Sequence, residues 1–245
     1  MSEVTLSVIV PAWNEEKYLG RTLESLQRAI AGYQRDRGGS AEIIVVDNNS
    51  RDHTAEVARQ HGVAVVFEPV NNIARARNAG ARTARGQFLA FCDADNAVTE
   101  NMFCQIHDHL SDPRIAGGGT WIQPERRNLK ISFFYFLWHA YVTLSQVGVG
   151  ILHCRREDFD AIGGYDETIY AAEDLQFAYD LRKLGKPRGQ RFRVLRDCWI
   201  ITSTRKLDQA SFLELFRQMI GFGFGLQRKI RSKEYCKHWY EKAAR

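Results

Sequence analysis

The stretch Leu6-Ser-Val-Ile-Val-Pro-Ala-Trp-Asn-Glu-Glu16 decides the fold, because an apolar run ends there in a polar loop. Apolar residues then recur at three- and four-residue spacing from Tyr18 to Ile30, which is typical of a helix. Four such units of strand and helix follow one another in the first half of the chain. Repeats of this kind, with short strands rich in valine and isoleucine, predict a parallel, doubly wound sheet.

Polar side chains stand where these strands end. The later strands of the first half are predicted at residues 43–46, 63–67 and 87–92, and an arginine-rich helix at 73–84. Asn14 and Asp47 follow the first two strands, and Asp93 and Asp95 follow the fourth. Because ligands bind beyond the carboxyl ends of parallel strands, the topology predicts a binding site at this edge.

The second half mixes strands and helices. After Thr99, a predicted helix cap, the expected elements are a strand at 115–122, an uncharged aromatic segment at 131–152, a helix at 173–185, a strand at 192–195 and a helix from Ser211. We predict a single domain over residues 1–245, divided into a donor-nucleotide half (1–100), an acceptor half (101–205) and a basic helical tail (206–245).

The positive charge lies at the end of the chain. The net charge is +5, yet residues 205–245 hold ten Lys or Arg against four Asp or Glu. Such a tail suits an anionic partner such as lipid head groups or a phosphate-bearing acceptor, and a solvated helix face is an equal alternative. Nucleic-acid binding is disfavoured, because the charge is confined to the tail and no recognised motif accompanies it.

The cysteines and the apolar segments indicate the compartment. Five dispersed cysteines without a C-x-x-C pair argue against a disulfide framework or a zinc site and favour a reducing compartment. The first apolar run has no basic flank and is typical of a strand, not of a signal peptide. The segment 131–152 contains polar residues, so we predict a buried or interfacial helix and no membrane span. The expected location is cytoplasmic, with peripheral contact at the inner face of the membrane through the basic tail and this aromatic segment.

Asp93 and Asp95 predict a metal site. In an extended chain their side chains point the same way, with Ala94 opposite. Two carboxylates at the mouth of a sheet suit Mg²⁺ or Mn²⁺, which take oxygen ligands and complete their shell with phosphate oxygens. The alternative is a pair of acids that cap the following turn, and the position after a buried strand, with Asp47 at the end of another, favours the metal.

Six motifs in this order resemble glycosyltransferase family 2. They are Ser7-Val-Ile-Val-Pro-Ala-Trp-Asn-Glu-Glu, Val46-Asp-Asn-Asn-Ser-Arg-Asp-His-Thr, Asn78-Ala-Gly, Asp93-Ala-Asp, Gly163-Gly-Tyr-Asp and Glu173-Asp, and the likeness covers roughly residues 6–186. The resemblance implies the GT-A fold, a Rossmann-like mixed α/β sheet flanked by helices. It also implies inverting transfer of a sugar from a nucleotide-diphosphate sugar, with UDP favoured, to an acceptor hydroxyl.

The resemblance also assigns residues to the donor. The loop after the first strand, with Pro11, Trp13, Asn14 and Glu15, would bind the nucleoside, and Asp47 would hydrogen-bond the base, consistent with uracil. Asp93 would lie by the ribose and the metal, and Asp95 would be the direct metal ligand. The donor-facing helix contributes Arg75, Arg77 and Asn78, and one of the two arginines would reach phosphate or ribose.

The pair Glu173 and Asp174 occupies the position of the catalytic base in the family, with Asp174 favoured. Adjacent residues at a helix start point in different directions, so at most one is expected to face the sugar. We expect the helix dipole to lower the pKa of this carboxyl group and keep it ionised. The alternative is that both are ordinary acids of a first helical turn.

Other features bear on the acceptor. The chain lacks the Q-x-x-R-W motif and the membrane spans of processive relatives, which favours a single addition; Arg205 and Lys206 are candidate diphosphate partners. The aromatic segment is either core or an apolar shelf for an acceptor such as a lipid-linked one. His153 is either structural or close to the metal or acceptor.

Competing functions differ in recognisable features. A nucleotidyltransferase would carry a glycine-rich, basic loop after the first strand, and a nicotinamide dehydrogenase a G-x-G-x-x-G motif, but this loop is acidic and has no glycine. A hydrolase using two carboxylates would release free sugar without an acceptor. A sugar-nucleotide-binding or scaffold protein is the non-enzymatic alternative, and it would be expected to lack the acidic pair or the base.

Overall fold

The computed structural model describes residues 4–148 and 150–204. The strands are β1 (Leu6–Ala12), β2 (Ala41–Asp47), β3 (Ala64–Phe67), β4 (Phe88–Phe91), β5 (Asn96–Val98), β6 (Ile115–Pro124), β7 (Leu152–Arg155) and β8 (Arg191–Thr202). The helices are α1 (Leu19–Arg37), α2 (Thr54–Gln60), α3 (Ile73–Thr83), α4 (Met102–Ser111), α5 (Leu129–Ser145), α6 (Arg156–Ile162) and α7 (Glu173–Gly185). A 3₁₀ turn, Lys186–Arg188, leads into β8.

The strands of the described residues form one mixed sheet in the order β3-β2-β1-β4-β7-β6-β8-β5. β1 pairs in parallel with β2 and β4, and β2 with β3, which confirms the parallel sheet predicted for the first half. β7 runs antiparallel to β4 and β6, while β8 is parallel to β6 and antiparallel to β5. The second half therefore turns the sheet into the mixed α/β sheet of the predicted fold class.

Helices cover both faces of the sheet, which explains why β1 is apolar at nearly every position. Successive side chains of a strand point to opposite faces. Val8 and Val10 belong to the apolar cluster that contains Leu23 of α1 and Phe103 of α4. Ile9 belongs to the other cluster, with residues of α3 and α7.

Several predicted boundaries need correction. α2 begins at Thr54, with His53 at the N-cap position, and Asp52 accepts the Thr54 amide, 3.0 Å away. α4 likewise begins at Met102 after Asn101, and not directly after Thr99. β8 is much longer than the strand predicted at 192–195, because it pairs with β6 along its length and with β5 at its end.

One group of predictions concerns the C-terminal part of the chain, and another concerns a membrane span. The helix expected from Ser211, the basic tail 206–245, and the candidates Arg205 and Lys206 lie outside the described residues. Within residues 4–148 and 150–204, none of the helices combines the length and the apolar character needed to cross a membrane. The cysteines of this region, Cys92, Cys104, Cys154 and Cys198, are free and buried.

Candidate active site

The acidic motifs of the two halves meet through one arginine of α3. Arg77 is only 6% exposed, and its Nη1 lies 2.5 Å from Glu173 Oε1 at the start of α7. Its Nη2 lies 2.9 Å from Asp93 Oδ1, just beyond β4. The guanidinium carbon stands 5.1 Å from the centre of the Tyr165 ring. A buried guanidinium that serves two carboxylates fixes the acids of both halves on one cleft.

Asp93 and Asp95 are both partly exposed, while Ala94 between them is buried. The Ala94 carbonyl accepts a hydrogen bond from the hydroxyl of Thr22, at 2.7 Å, which anchors the turn to α1. The Asp93 side chain is 50% exposed despite its contact with Arg77. Burial, followed by the negative charge of Asp95, raises the pKa of Tyr135 of α5.

Glu173 and Asp174 have different surroundings. The carboxylate of Glu173 is buried against Arg77. Asp174 is partly buried, and its Oδ1 accepts the amide of its neighbour Leu175 at 2.7 Å. Burial in the protein, followed by the charge of Glu173, raises the pKa of Asp174 to about 7. The expectation that the helix dipole lowers this pKa was therefore wrong, because desolvation and the adjacent carboxylate outweigh the dipole and Arg77.

The backbone ahead of these acids is strained. Ala172, the N-cap residue of α7, has φ 61° and ψ 23°, a left-handed conformation that is unfavourable for a residue with a Cβ. Such strain persists where the surrounding structure determines the backbone, and it clusters at functional sites. Here it sets the direction in which Glu173 and Asp174 leave the helix start.

The loops after β1 and β2 are tied together. Asn14, with φ 54°, donates its amide to Ser50 Oγ at 3.1 Å and accepts the Arg51 amide on its side chain at 2.8 Å. Glu15 donates its amide to the Thr54 hydroxyl at 2.8 Å. Asp47 Oδ1 accepts the Ser50 amide at 2.9 Å, which orients the buried carboxyl group.

The structure places Pro11 and Trp13 in the same region as these loops. Pro11 is buried at the end of β1, opposite Val46, and Trp13 is partly buried. The polar residues predicted to bind the nucleoside thus share one edge of the sheet, and their contact with a nucleoside stays a prediction.

The other two donor candidates of α3 contact the loop before α7. Arg75 binds Glu167 Oε2 at 2.8 Å and Glu68 Oε1 at 3.3 Å. Asn78 donates to the Tyr165 carbonyl at 2.9 Å and accepts the Tyr165 amide at 2.9 Å. These contacts hold the Gly-Gly-Tyr turn in place, and a direct role for either residue in donor binding stays a prediction.

Sequence reasoning missed two buried asparagines that join the loops of the site. Asn48 donates to the carbonyls of Glu68 and Val70 and accepts the Asn72 amide at 2.9 Å. Asn72 caps α3 by accepting the Arg75 amide at 3.0 Å. The position of Asn72 ahead of the helix predicted at 73–84 is a capping signal that could have found it.

His153 lies in the interior and not in the cleft. It is fully buried on β7, with its Nε2 2.8 Å from His109 Nδ1 and its Nδ1 3.0 Å from the Ile151 carbonyl. Burial, followed by the neighbouring His109, lowers the pKa of His153 to about 3. Both facts support the structural role that the sequence left open.

The chain resembles known proteins in sequence and in fold. It is 28% identical over 193 residues to the uncharacterized glycosyltransferase EpsJ of Bacillus subtilis, a match that covers 70% of this chain and 54% of EpsJ. The chain thus spans about half the length of this relative. Its fold matches S. aureus TarS 1–349 in complex with UDP-GlcNAc, with a TM-score of 0.63, 21% identity, and coverage of 88% of this chain and 65% of that one.

A second solved structure extends the match. The mannosyltransferase PcManGT from Pyrobaculum calidifontis, in complex with GDP-Man and Mn²⁺, gives a TM-score of 0.65 at 19% identity, covering 99% of this chain and 72% of that one. These likenesses identify the GT-A fold that the motifs implied. The model of the family described as glycosyl transferase family 2 matches residues 7–146, more than half of the chain. The chain therefore belongs to glycosyl transferase family 2.

Proposed function

We propose that the protein is an inverting, metal-assisted glycosyltransferase that adds one sugar from a nucleotide-diphosphate donor, with UDP favoured, to an acceptor hydroxyl. The observation that carries the proposal is the Arg77 bridge, which holds Asp93 on the donor side and Glu173 beside Asp174. The bridge ties the segment that carries the proposed diphosphate acids, Asp93 and Asp95, to the helix start that carries the proposed base, Asp174.

Asp174 is the proposed base. As the acceptor oxygen forms its bond to the anomeric carbon, the bond from that carbon to the diphosphate oxygen breaks. The nucleoside diphosphate leaves with the bonding electrons, and the acceptor proton passes to a carboxylate oxygen of Asp174. A base with a pKa near the working pH is well matched to such a transfer. Glu173 is less suited, since its carboxylate is bound to Arg77.

Asp93 and Asp95 fit a hard divalent cation. Mn²⁺ or Mg²⁺ binds in such enzymes through one or two carboxylates and substrate phosphates, so no larger cluster of protein ligands is required. Because one oxygen of Asp93 already accepts from Arg77, Asp95 is the candidate for the direct ligand. When bound, the ion would stabilise the negative charge of the departing diphosphate.

The proposed donor also has support. UDP-GlcNAc is bound to TarS and GDP-Man to PcManGT, so nucleotide-diphosphate sugars occur on this fold with either base. Asp47, oriented by the Ser50 amide, is the proposed partner of an imide N–H, which uracil provides. Single addition is proposed because the sequence lacks the Q-x-x-R-W motif of processive relatives.

The test is the variant Asp174→Asn, which keeps the shape of the side chain and removes its basicity. We expect release of nucleoside diphosphate from a sugar nucleotide, with a saccharide pool as acceptor, to fall by about 10²–10⁴-fold. Donor affinity, measured by calorimetry, should stay nearly unchanged, because the base acts on the acceptor.

The matched control is Asp180→Asn, two turns further along α7, where the carboxylate contacts Gln176. This variant should keep wild-type turnover. Wild-type turnover in Asp174→Asn would refute the assignment of the base. Free sugar released at full rate without an acceptor would instead identify a hydrolase.

A further inference from the structure

Helix α5 carries an apolar stripe on its solvent side. Its exposed members recur at spacings of four, three, four and four residues: Leu129, Phe133, Phe136, Ala140 and Leu144. Residues at this spacing share one face of a helix, and the fifteen helical steps from Leu129 to Leu144 extend over about 22 Å. The stripe is therefore a continuous line of apolar side chains in contact with solvent.

The exposure of this face is unusual for a surface helix. Leu144 is 86% exposed and Phe136 is 68% exposed, whereas only Ile131, Tyr135 and Val142 of α5 are buried. A surface helix normally turns a charged face to water and an apolar one to the core. A large exposed apolar surface marks a site of interaction with another molecule or with a membrane.

Cations stand at both ends of the stripe. Arg126 and Arg127 are exposed directly before α5. At the other end, Arg182 Nη1 donates to the Ser145 carbonyl at 2.9 Å, and Arg196 Nη2 lies 3.0 Å from the Thr143 hydroxyl. The stripe thus runs between two cationic ends.

Acidic residues are missing from this part of the sequence. No Asp or Glu occurs between Arg126 and Arg156. Glu125, directly before the first arginine, forms an ion pair with Arg21. The charge along α5 and its flanks is therefore positive, which disfavours a cationic or purely apolar partner and favours an anionic surface.

We propose that α5 docks on an anionic lipid surface, with the apolar stripe in the head-group region and the arginines on lipid phosphates. Interfacial helices combine these two features, with an apolar face buried about 5–10 Å deep and basic residues beside it. Each basic residue near such a surface strengthens the attraction to anionic lipid. With 17 residues, α5 is shorter than the ~20 that a bilayer crossing needs, so it lies on the membrane and does not span it.

This inference rests on the exposed face of α5 and not on the proposed function, and its test requires no sugar nucleotide.

The test is flotation of the full chain with vesicles of phosphatidylcholine mixed with phosphatidylglycerol. We expect the wild type to float. The double variant Phe136→Ser/Leu144→Ser should partition about tenfold less into vesicles, because it loses two apolar side chains that docking would bury in the head-group region. The matched control is Phe67→Ser/Val70→Ser, at the other exposed apolar residues near the edge strand β3, and it should float like the wild type. All four side chains are exposed, so their replacement should not unfold the protein. Equal melting temperatures of the two double variants and the wild type will show that the fold is kept.

Two further arms separate other occupants of the stripe. Arg126→Ser/Arg127→Ser should weaken flotation with phosphatidylglycerol vesicles, and high salt should do the same to the wild type. The proposal is overturned if the stripe variant Phe136→Ser/Leu144→Ser floats to the same extent as the wild type, because another part of the chain would then bind the vesicles. It is equally overturned if the wild type does not float, or if light scattering shows a dimer that the stripe variant alone disrupts.

Discussion

A single buried cation, Arg77, contacts the acids of both halves of the cleft. Its two ion pairs leave Asp174 as the carboxyl group whose protonation is set by burial and by Glu173. Removing one partner from a buried pair is costly, because the remaining charge is left without compensation. Arg77 therefore positions Asp93 and Glu173 as well as neutralising their charge.

The raised pKa of Asp174, about 7, predicts a pH dependence at the residue scale. A base must be ionised to accept a proton, so kcat/KM should be low below this pKa, rise as the pH passes through about 7, and level off above it. The profile of kcat/KM reports the pKa of the base in the free enzyme. The measurement is the release of nucleoside diphosphate between about pH 5.5 and 8.5, a range that brackets the Asp174 pKa of about 7.

Glu173→Gln is the companion variant for this profile. The charge of Glu173 is the second cause of the raised pKa of Asp174, so its removal should lower that pKa. The midpoint of the kcat/KM profile should therefore move to lower pH. A rate that does not change across the range, in wild type and variant alike, would contradict the role of Asp174 as base.

Much of the site was predictable at the residue scale, and its connections were not. Asp93, Asp95 and Asp174 stand in short motifs whose places at strand and helix ends follow from local pattern. Arg77 and Glu173 lie 96 positions apart, and no local pattern pairs them. The raised pKa of Asp174 likewise depends on burial by distant segments, which is why a rule for helix termini gave the wrong sign.

At the scale of elements, α3 delivers Arg77 to the cleft by lying very close to the sheet. A Cβ added at Gly80 would stand 2.4 Å from Ile9 Cγ2 and 2.9 Å from Val46 Cγ2. Real side chains do not approach so closely, so the glycine permits this distance between helix and strands. The position of the helix, and with it the position of Arg77, depends on that contact.

Gly80→Ala should therefore destabilise the protein. Overpacking of a core costs about 1–3 kcal/mol, which exceeds the gain of about 1 kcal/mol from the better helix propensity of alanine. Thermal or urea unfolding measures the change. The control is Gly32→Ala in α1, where the added Cβ lies 3.4 Å from its closest neighbour and should be neutral or stabilising. Equal effects of the two substitutions would contradict the packing argument.

Periodicity located the elements better than it located their ends. α3 and α7 were predicted almost to the residue, because a strong helical pattern ends at clear signals. β8 was predicted too short, since its second part is held by β6 and β5 and not by its own alternation. The sequence left open whether α5 is buried or interfacial, because an apolar helix has the same pattern in both situations.

At the scale of the molecule, a parallel half-sheet, where we propose that the donor binds, continues into a mixed half-sheet, where we propose that the acceptor binds. The repeated strand–helix units determine the first part, and α7 of the second part carries the proposed base and is tied to α3 by the Arg77–Glu173 ion pair. Pairings such as β4 with β7 join segments more than 60 positions apart, so the order of strands in the second half could not be derived from local pattern.

The measurement that tests the central claim most directly is a thermal-shift panel of UDP-, GDP- and dTDP-sugars with and without Mn²⁺. A ligand at about 100 times its Kd stabilises the folded state by about 2.7 kcal/mol, or roughly 5–10 °C for a chain of this size. We predict such a shift with a UDP-sugar, only when Mn²⁺ is present, and its loss in Asp95→Asn. The absence of any metal-dependent shift with every sugar nucleotide would contradict the assignment of Asp93 and Asp95 to a metal–diphosphate site.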